Sequence, residues 1–312
     1  MFAFLRLPAT LRRVALASVV VNVIIVVTGG LVRLTGSGLG CPTWPRCTDD
    51  SYVTTRAMGF HGVIEFGNRT LTSVVSAAAL AAVVVAWLHR DRVRGVLAPA
   101  VLTLVGVGIQ AVIGGITVHT ALNPWTVAAH FLGSMVLLAA SFTLWHRSRD
   151  PRPDASWAPP PAVRTLGICL TAVSAAVLVL GTLVTGSGPH AGDQKAARTG
   201  FDVAAVAQLH ADAVFLLVGL SAALWFAARA VGAPARVVRA VAVLVLVELA
   251  QGAVGFVQYF TNLPVAVVIL HLLGACAVWL ATLNALFAVA SAPVSEPTAP
   301  ADEPELLRPV AR

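Results

Sequence analysis

Apolar residues gather in eight long blocks, at roughly 14–34, 60–88, 96–119, 124–145, 164–186, 203–228, 237–260 and 264–290, and Pro, Gly, Arg and Asp collect between them. Each block matches or exceeds the roughly 20 helical residues that cross about 30 Å of hydrocarbon. Lipid offers a backbone no hydrogen-bond partner, and runs this long and this continuously apolar are unlike barrel strands, so each predicts a membrane-spanning helix. The expected fold class is an all-α integral membrane protein with eight transmembrane helices.

The pattern also repeats. Gln110 to Trp145 and Gln251 to Leu286 align without a gap at an offset of 141, pairing Gln110 with Gln251, Gly114 with Gly255, Leu122 with Leu263, His130 with His271 and Gly133 with Gly274. More loosely, Thr35-Gly-Ser-Gly38 closes the first span as Thr185-Gly-Ser-Gly188 closes the fifth. Two pseudo-symmetric four-helix bundles are therefore expected, as in membrane folds built from parallel repeats. The first unit covers 14–149 and the second 164–290. A proline-rich linker lies over 150–163, and a Pro-, Ala- and acid-rich tail over 291–312 reads as disordered.

Composition agrees with the pattern: 58% of residues are apolar, 11% are charged, and mean hydropathy is +0.85. The charge distribution sets an orientation. Of 21 Arg and Lys residues, Arg6, Arg12, Arg13, Arg90, Arg92, Arg94, Arg147, Arg149, Arg152, Arg164, Arg229, Arg236, Arg239, Arg308 and Arg312 fall on one side, which the positive-inside rule makes cytoplasmic for both termini. The net charge of +7 then reflects this asymmetry and anionic lipid, not nucleic acid. The first block carries an Arg-bearing start and no overriding cleavage pattern, so it is expected to remain as a span.

Helical rise sorts the eight histidines. At about 1.5 Å per residue, His130 lies roughly 9 Å below the turn at Pro124, His271 roughly 10 Å below Pro264, and His210 roughly 13 Å into its own helix. His89 and His146 sit at arginine-rich ends and His119 and His190 at the opposite ends, where a solvated or interfacial place is expected. A histidine inside lipid is costly unless paired or ligated. Interhelical hydrogen bonding is one outlet. Three at one depth in four-helix units favour another, axial ligation of a haem iron. No Cys-x-x-Cys-His occurs, so covalent attachment is excluded.

The first unit differs at one corner. Aligning the second helix of each half puts Asn68 opposite His210, so His130 faces an amide. His61, Glu65 and Asn68 share one helical face by their spacing, with Arg69 beside them. An intramembrane Glu or Arg is a functional candidate. Glu65 and Arg69, at i and i+4, can also simply neutralise each other, or Arg69 can hold a porphyrin propionate and free Glu65. In the preceding loop, Gly40-Cys-Pro-Thr-Trp-Pro-Arg-Cys47 faces the oxidising side, so Cys41 and Cys47 are expected to form a disulfide, as a staple or with a redox role. Cys169 and Cys276 read as small apolar side chains.

Eight spans in two halves, Gly36-Ser-Gly-Leu-Gly-Cys-Pro-x-Trp-Pro-x-Cys47, Glu65-Phe-Gly-Asn-Arg69 and single histidines on helices four, six and eight together resemble the heme A synthase family over about residues 15–290. The resemblance implies oxidation of the C8 methyl of haem o to a formyl group, for terminal oxidase cofactor biosynthesis. It implies haem b as cofactor between His210 and His271, and a substrate haem site formed by His130, Asn68, Arg69 and His61. Glu65 is then the catalytic group handling protons or charge. A haem o synthase and an electron donor are the expected partners, and the bacterial cytoplasmic membrane the expected location. The family's usual helix-two pattern is Glu-x-x-His-Arg; here Asn68 stands in place of that histidine. His61 is an alternative ligand, but it lies about 10 Å nearer the outer surface. Two other functions fit the same features: a non-catalytic di-haem cytochrome that passes electrons, and a haem transporter or assembly chaperone.

Overall fold

The computed structural model describes residues 3–149 and 157–290. Residues 150–156 of the expected linker and the whole expected tail lie outside the described residues. After a short 3-10 turn at Ala3–Arg6 come α1 (Pro8–Leu34), α2 (Gly59–His89), α3 (Leu97–His119), α4 (Pro124–Ser148), α5 (Pro161–Ser187), α6 (Val203–Ala230), α7 (Ala235–Phe260) and α8 (Val265–Ala290). All eight are long and apolar enough to cross a membrane. Their outward faces carry large apolar side chains such as Leu80, Val105, Phe215, Phe226 and Leu246. Such extensive apolar exposure belongs to a lipid-facing surface, and the chain is a multi-pass membrane protein.

Local chemistry sets the helix ends. Pro8, Pro124 and Pro161 open α1, α4 and α5, where the missing N–H costs no helical bond. Asn123 and Asp202 cap α4 and α6 by accepting from Trp125 N and Ala205 N. The α5 helix therefore begins inside the segment expected to be linker. It also runs through Thr185 and Gly186 to Ser187, whereas α1 stops at Leu34 before the matching residues, so this part of the repeat is looser than its sequence.

The α3–α4 and α7–α8 turns are near copies. Ala121 and Leu122 in one, and Asn262 and Leu263 in the other, all have φ of 50° or 60°. Leu122 N donates to Thr117 O and Leu263 N to Gln258 O, both at 2.9 Å. This six-residue closure satisfies the last carbonyls of α3 and α7 and sends α4 and α8 back along them.

In the first half α1 packs on α2 and α4, and α3 packs on α2 and α4; α5 to α8 repeat this cycle. Thus α2 and α4, like α6 and α8, occupy diagonal corners with no direct packing between them. The halves meet where α1 touches α8 and α4 touches α5 and α8. Dispersion and close approach, not water exclusion, hold helices together in lipid. Accordingly Gly30 of α1 lies so near Leu272 of α8 that any Cβ would strike it. Trp279 Nε1 donates to Met135 O across the same seam at 3.0 Å. Nearby, the Arg33 guanidinium donates to His190 O at 2.6 Å and Thr185 O at 2.9 Å.

One histidine expectation is corrected. His89 is 1% exposed, with Nε2 3.0 Å from Leu5 O, because the N-terminal 3-10 turn folds over the end of α2. His190 is half-buried and bonds to Leu263 O at 3.2 Å. His119 is exposed.

Candidate functional site

Each odd-numbered helix presents a glycine to one polar side chain on the helix that follows it. A methyl group at Gly114 of α3 would stand 3.3 Å from Cε1 of His130 on α4. The same 3.3 Å separates Gly181 of α5 from His210 on α6, and Gly255 of α7 from His271 on α8. In the fourth such place, Gly29 of α1 faces Asn68 on α2, with 4.0 Å to Nδ2. Asn68 therefore occupies the position that a histidine holds in the other three corners.

The three imidazoles share a polarity. Nδ1 of His130 and His271 is buried with no hydrogen-bond partner, and the His210 ring lies beside the Val177 backbone of α5. Nε2 of each is neither buried nor hydrogen-bonded. His210 and His271 lie on diagonal helices of the second half. The Cε1–Nδ1 edge of each ring lies against the neighbouring odd-numbered helix, and an imidazole pair on diagonal helices would suit a haem iron held by two histidines. The first half offers one imidazole there, with an amide opposite. These residues would suit a haem in each half, two imidazoles holding it in the second and one imidazole with an amide in the first.

Asn68 is held by Thr28, whose Oγ1 lies 2.7 Å from Asn68 Oδ1. His61 is exposed in the first turn of α2 and bonds through Nδ1 to Ser37 Oγ at 2.9 Å, two helical turns from Asn68. It lines a cleft of about 540 Å³ with Thr35, Pro42, Met58 and Asp193. His61 therefore does not share the diagonal gap with His130.

Glu65 and Arg69 serve the cysteine loop. Cys41 and Cys47 are disulfide-bonded. Glu65, 5% exposed, accepts from Cys41 N at 2.7 Å and from the Gly40 backbone, while Arg69 donates to its Oε1 through Nε at 3.1 Å and Nη2 at 2.5 Å. The remaining donors of Arg69 reach Thr43 O at 2.8 Å, Arg46 O at 3.1 Å and Cys41 O at 2.7 Å. A guanidinium has five N–H groups, and all five are engaged. Of the two readings of this pair, mutual neutralisation or a propionate contact for Arg69, the structure shows the ion pair at i, i+4, with the other donors of Arg69 on the loop backbone. Trp44 at the loop tip packs directly on Gly115 of α3, the neighbour of Gly114.

Sequence reasoning missed Thr28, Trp44 and the glycine seats as participants, although Gly114 and Gly255 were already visible as matched columns of the repeat. It also missed Glu248 of α7. This residue is 3% exposed, accepts from Ser221 Oγ at 2.8 Å through Oε1, and leaves Oε2 without a partner.

Residues 12–283 match the model of the COX15-CtaA family, described as cytochrome oxidase assembly protein. A protein of Lysinibacillus sphaericus named Heme A synthase is 32% identical over 135 residues, 43% of each chain. One of the same name from Geobacillus kaustophilus is 32% identical over 107 residues, 34% of this chain and 33% of its own. A third, from Bacillus licheniformis, is 25% identical over 135 residues, 43% of this chain and 44% of its own. These alignments span less than half the length of the relatives, whereas the family model spans both halves of the fold, and on that match the chain belongs to the COX15-CtaA family, in which the heme A synthases are found.

Proposed function

We propose that this protein is a heme A synthase, which oxidises the C8 methyl of haem o to a formyl group. The observation that carries the reading is the set of three glycine-seated imidazoles with free Nε2, completed at the fourth corner by an amide. His210 and His271 hold a haem b in the C-terminal half, and His130 holds the substrate haem o in the N-terminal half. An iron closed by two imidazoles suits electron transfer, whereas one with an open position suits oxidation. The asymmetry between His210 and Asn68 divides the halves along that line.

The bound haem supplies the redox chemistry, and the chain supplies position and enclosure. Each hydroxylation of the methyl carbon would take one oxygen atom from dioxygen and release the other as water, using two electrons from the membrane donor and two protons; two in succession would give a geminal diol, which loses water to leave the aldehyde. Asn68, held by Thr28, keeps the face opposite His130 polar and free of a strong ligand. Trp44, fixed through the loop that Glu65 and Arg69 clamp, closes the disulfide end of the unit above Gly114 and His130. Glu65 then acts through the loop, as a positioning residue whose charge is balanced by Arg69, and a proton-handling role requires that pair to open. The disulfide end faces the oxidising side and both termini face the cytoplasm. A haem o synthase supplies the substrate, and a membrane electron donor reduces the second half.

The test is mass spectrometry of haem extracted from membranes that contain this protein together with a haem o source. Haem a should appear, and should be absent when His130 is replaced by alanine. Haem o recovered unaltered in mass, with two haems bound per chain, would instead favour an electron-transferring cytochrome; haem o carried without a resident haem b would favour a carrier.

A further inference from the structure

Gln110 and Gln251 occupy equivalent places on α3 and α7, and each reaches the main chain of the histidine on the following helix. Gln110 Nε2 donates to His130 O at 2.6 Å, and Gln251 Nε2 to His271 O at 2.7 Å. Both carboxamides lie against a glycine of that helix, Gly133 or Gly274, where any Cβ would collide with them. Four residues after each glutamine, on the same helical face, come Gly114 and Gly255, against which the imidazole rests. Each histidine is thus held twice by one neighbouring helix, at its carbonyl by Gln and at its ring by Gly.

Neither contact is needed to form the helix, since the histidine carbonyl already serves the intrahelical ladder. Both depend on helix rotation: a slip of one residue turns a side chain by about 100° and would break them together. The surroundings differ between halves, because Gln110 also donates to Ser134 Oγ at 2.8 Å where the second half has Ala275. The shared arrangement persists through that difference. A metal-bound histidine ordinarily has its other ring nitrogen fixed by an acceptor, yet Nδ1 of His130 and of His271 has none. Something else must aim these rings.

We propose that Gln110 with Gly114, and Gln251 with Gly255, are positioning pairs that set the rotation of α4 and α8 and so aim Nε2 of His130 and His271 at the diagonal gap. The inference rests on the reading of these histidines as axial ligands. A carboxamide fixes the main chain, a bare backbone leaves room for the flat ring, and the imidazole is held with Nδ1 toward the neighbouring helix.

The test uses full-length protein purified in detergent with its haem b, comparing wild type with Gln251→Met, Gly255→Ala, Gly252→Ala and His271→Ala. Electron paramagnetic resonance g values and the redox midpoint report ring orientation. Gln251→Met keeps length and bulk while removing the donor, and Gly255→Ala fills the seat. Both should retain haem and show shifted g values. Gly252→Ala, on the same helix but facing open space, should match wild type. If Gln251→Met and Gly255→Ala also match wild type while His271→Ala loses the low-spin signal, the positioning inference is overturned and the ligand reading stands. If His271→Ala keeps that signal, the ligand reading itself fails. Should Gly255→Ala not fold, Gln251→Met decides alone.

Discussion

The Glu65 carboxylate and the Arg69 guanidinium, one turn apart on α2, bind each other and the backbone of the Cys41–Cys47 loop at the same time. The pair is largely buried, with side-chain exposures of 7% and 21%. It converts a short loop without regular structure into a fixed roof over the N-terminal half.

Arg69→Ala leaves the Glu65 charge buried and unpaired, and breaking such a pair costs about 3–5 kcal/mol. A lowered Tm is expected, with faster reduction of Cys41–Cys47 by a water-soluble thiol. Arg69→Lys should recover little, because an ammonium cannot reproduce five fixed donors. Glu65→Gln keeps an acceptor for Cys41 N and should be milder in Tm. An unchanged reduction rate in Arg69→Ala would mean the loop does not depend on the clamp.

The Thr28–Asn68 hydrogen bond gives a second expectation. Thr28→Val removes a bond worth about 1 kcal/mol and releases the amide, so stability should fall slightly while product yield falls further. Asn68→His should fold, because the seat formed by Gly29 resembles those that already take imidazoles. It should convert haem bound in the first half to a low-spin, bis-histidine spectrum. A spectrum unchanged by Asn68→His would place Asn68 away from the iron.

In the second half, His210→Ala and His271→Ala should each abolish the low-spin haem b signal, because on the proposed function each would remove one of two histidine ligands. His61→Ala should leave haem content in both halves measurable, because His61 bonds to Ser37 at the rim. Pyridine haemochrome quantitation separates these results, and loss of haem in His61→Ala equal to that in His130→Ala would make His61 a ligand.

The seam between halves depends on Arg33, whose two hydrogen bonds to carbonyls of the other half each involve a charged donor, worth about 1.5–3 kcal/mol apiece. Arg33→Met should lower Tm and sensitise the loop near His190 to proteolysis. A wild-type proteolysis pattern would show that the α1–α8 and α4–α8 packing suffices.

The eight spans, the internal repeat and the helices that carry His130, His210 and His271 were legible in the chain. Apolar block length, a 141-residue offset and helical rise are local quantities that need no knowledge of neighbours. The α3–α4 and α7–α8 turns followed for the same reason. What only the tertiary structure decided were relationships between helices: that Thr28 holds Asn68, that glycines on odd helices seat the polar groups on even ones, that all five donors of Arg69 go to Glu65 and the loop, and that His89 is sealed beneath the N-terminal turn. Spacing along one helix states which side chains share a face, but not what arrives to meet that face. Partners for a buried polar group come from whichever backbone passes within about 3 Å, and that is settled by how eight helices rotate and pack together.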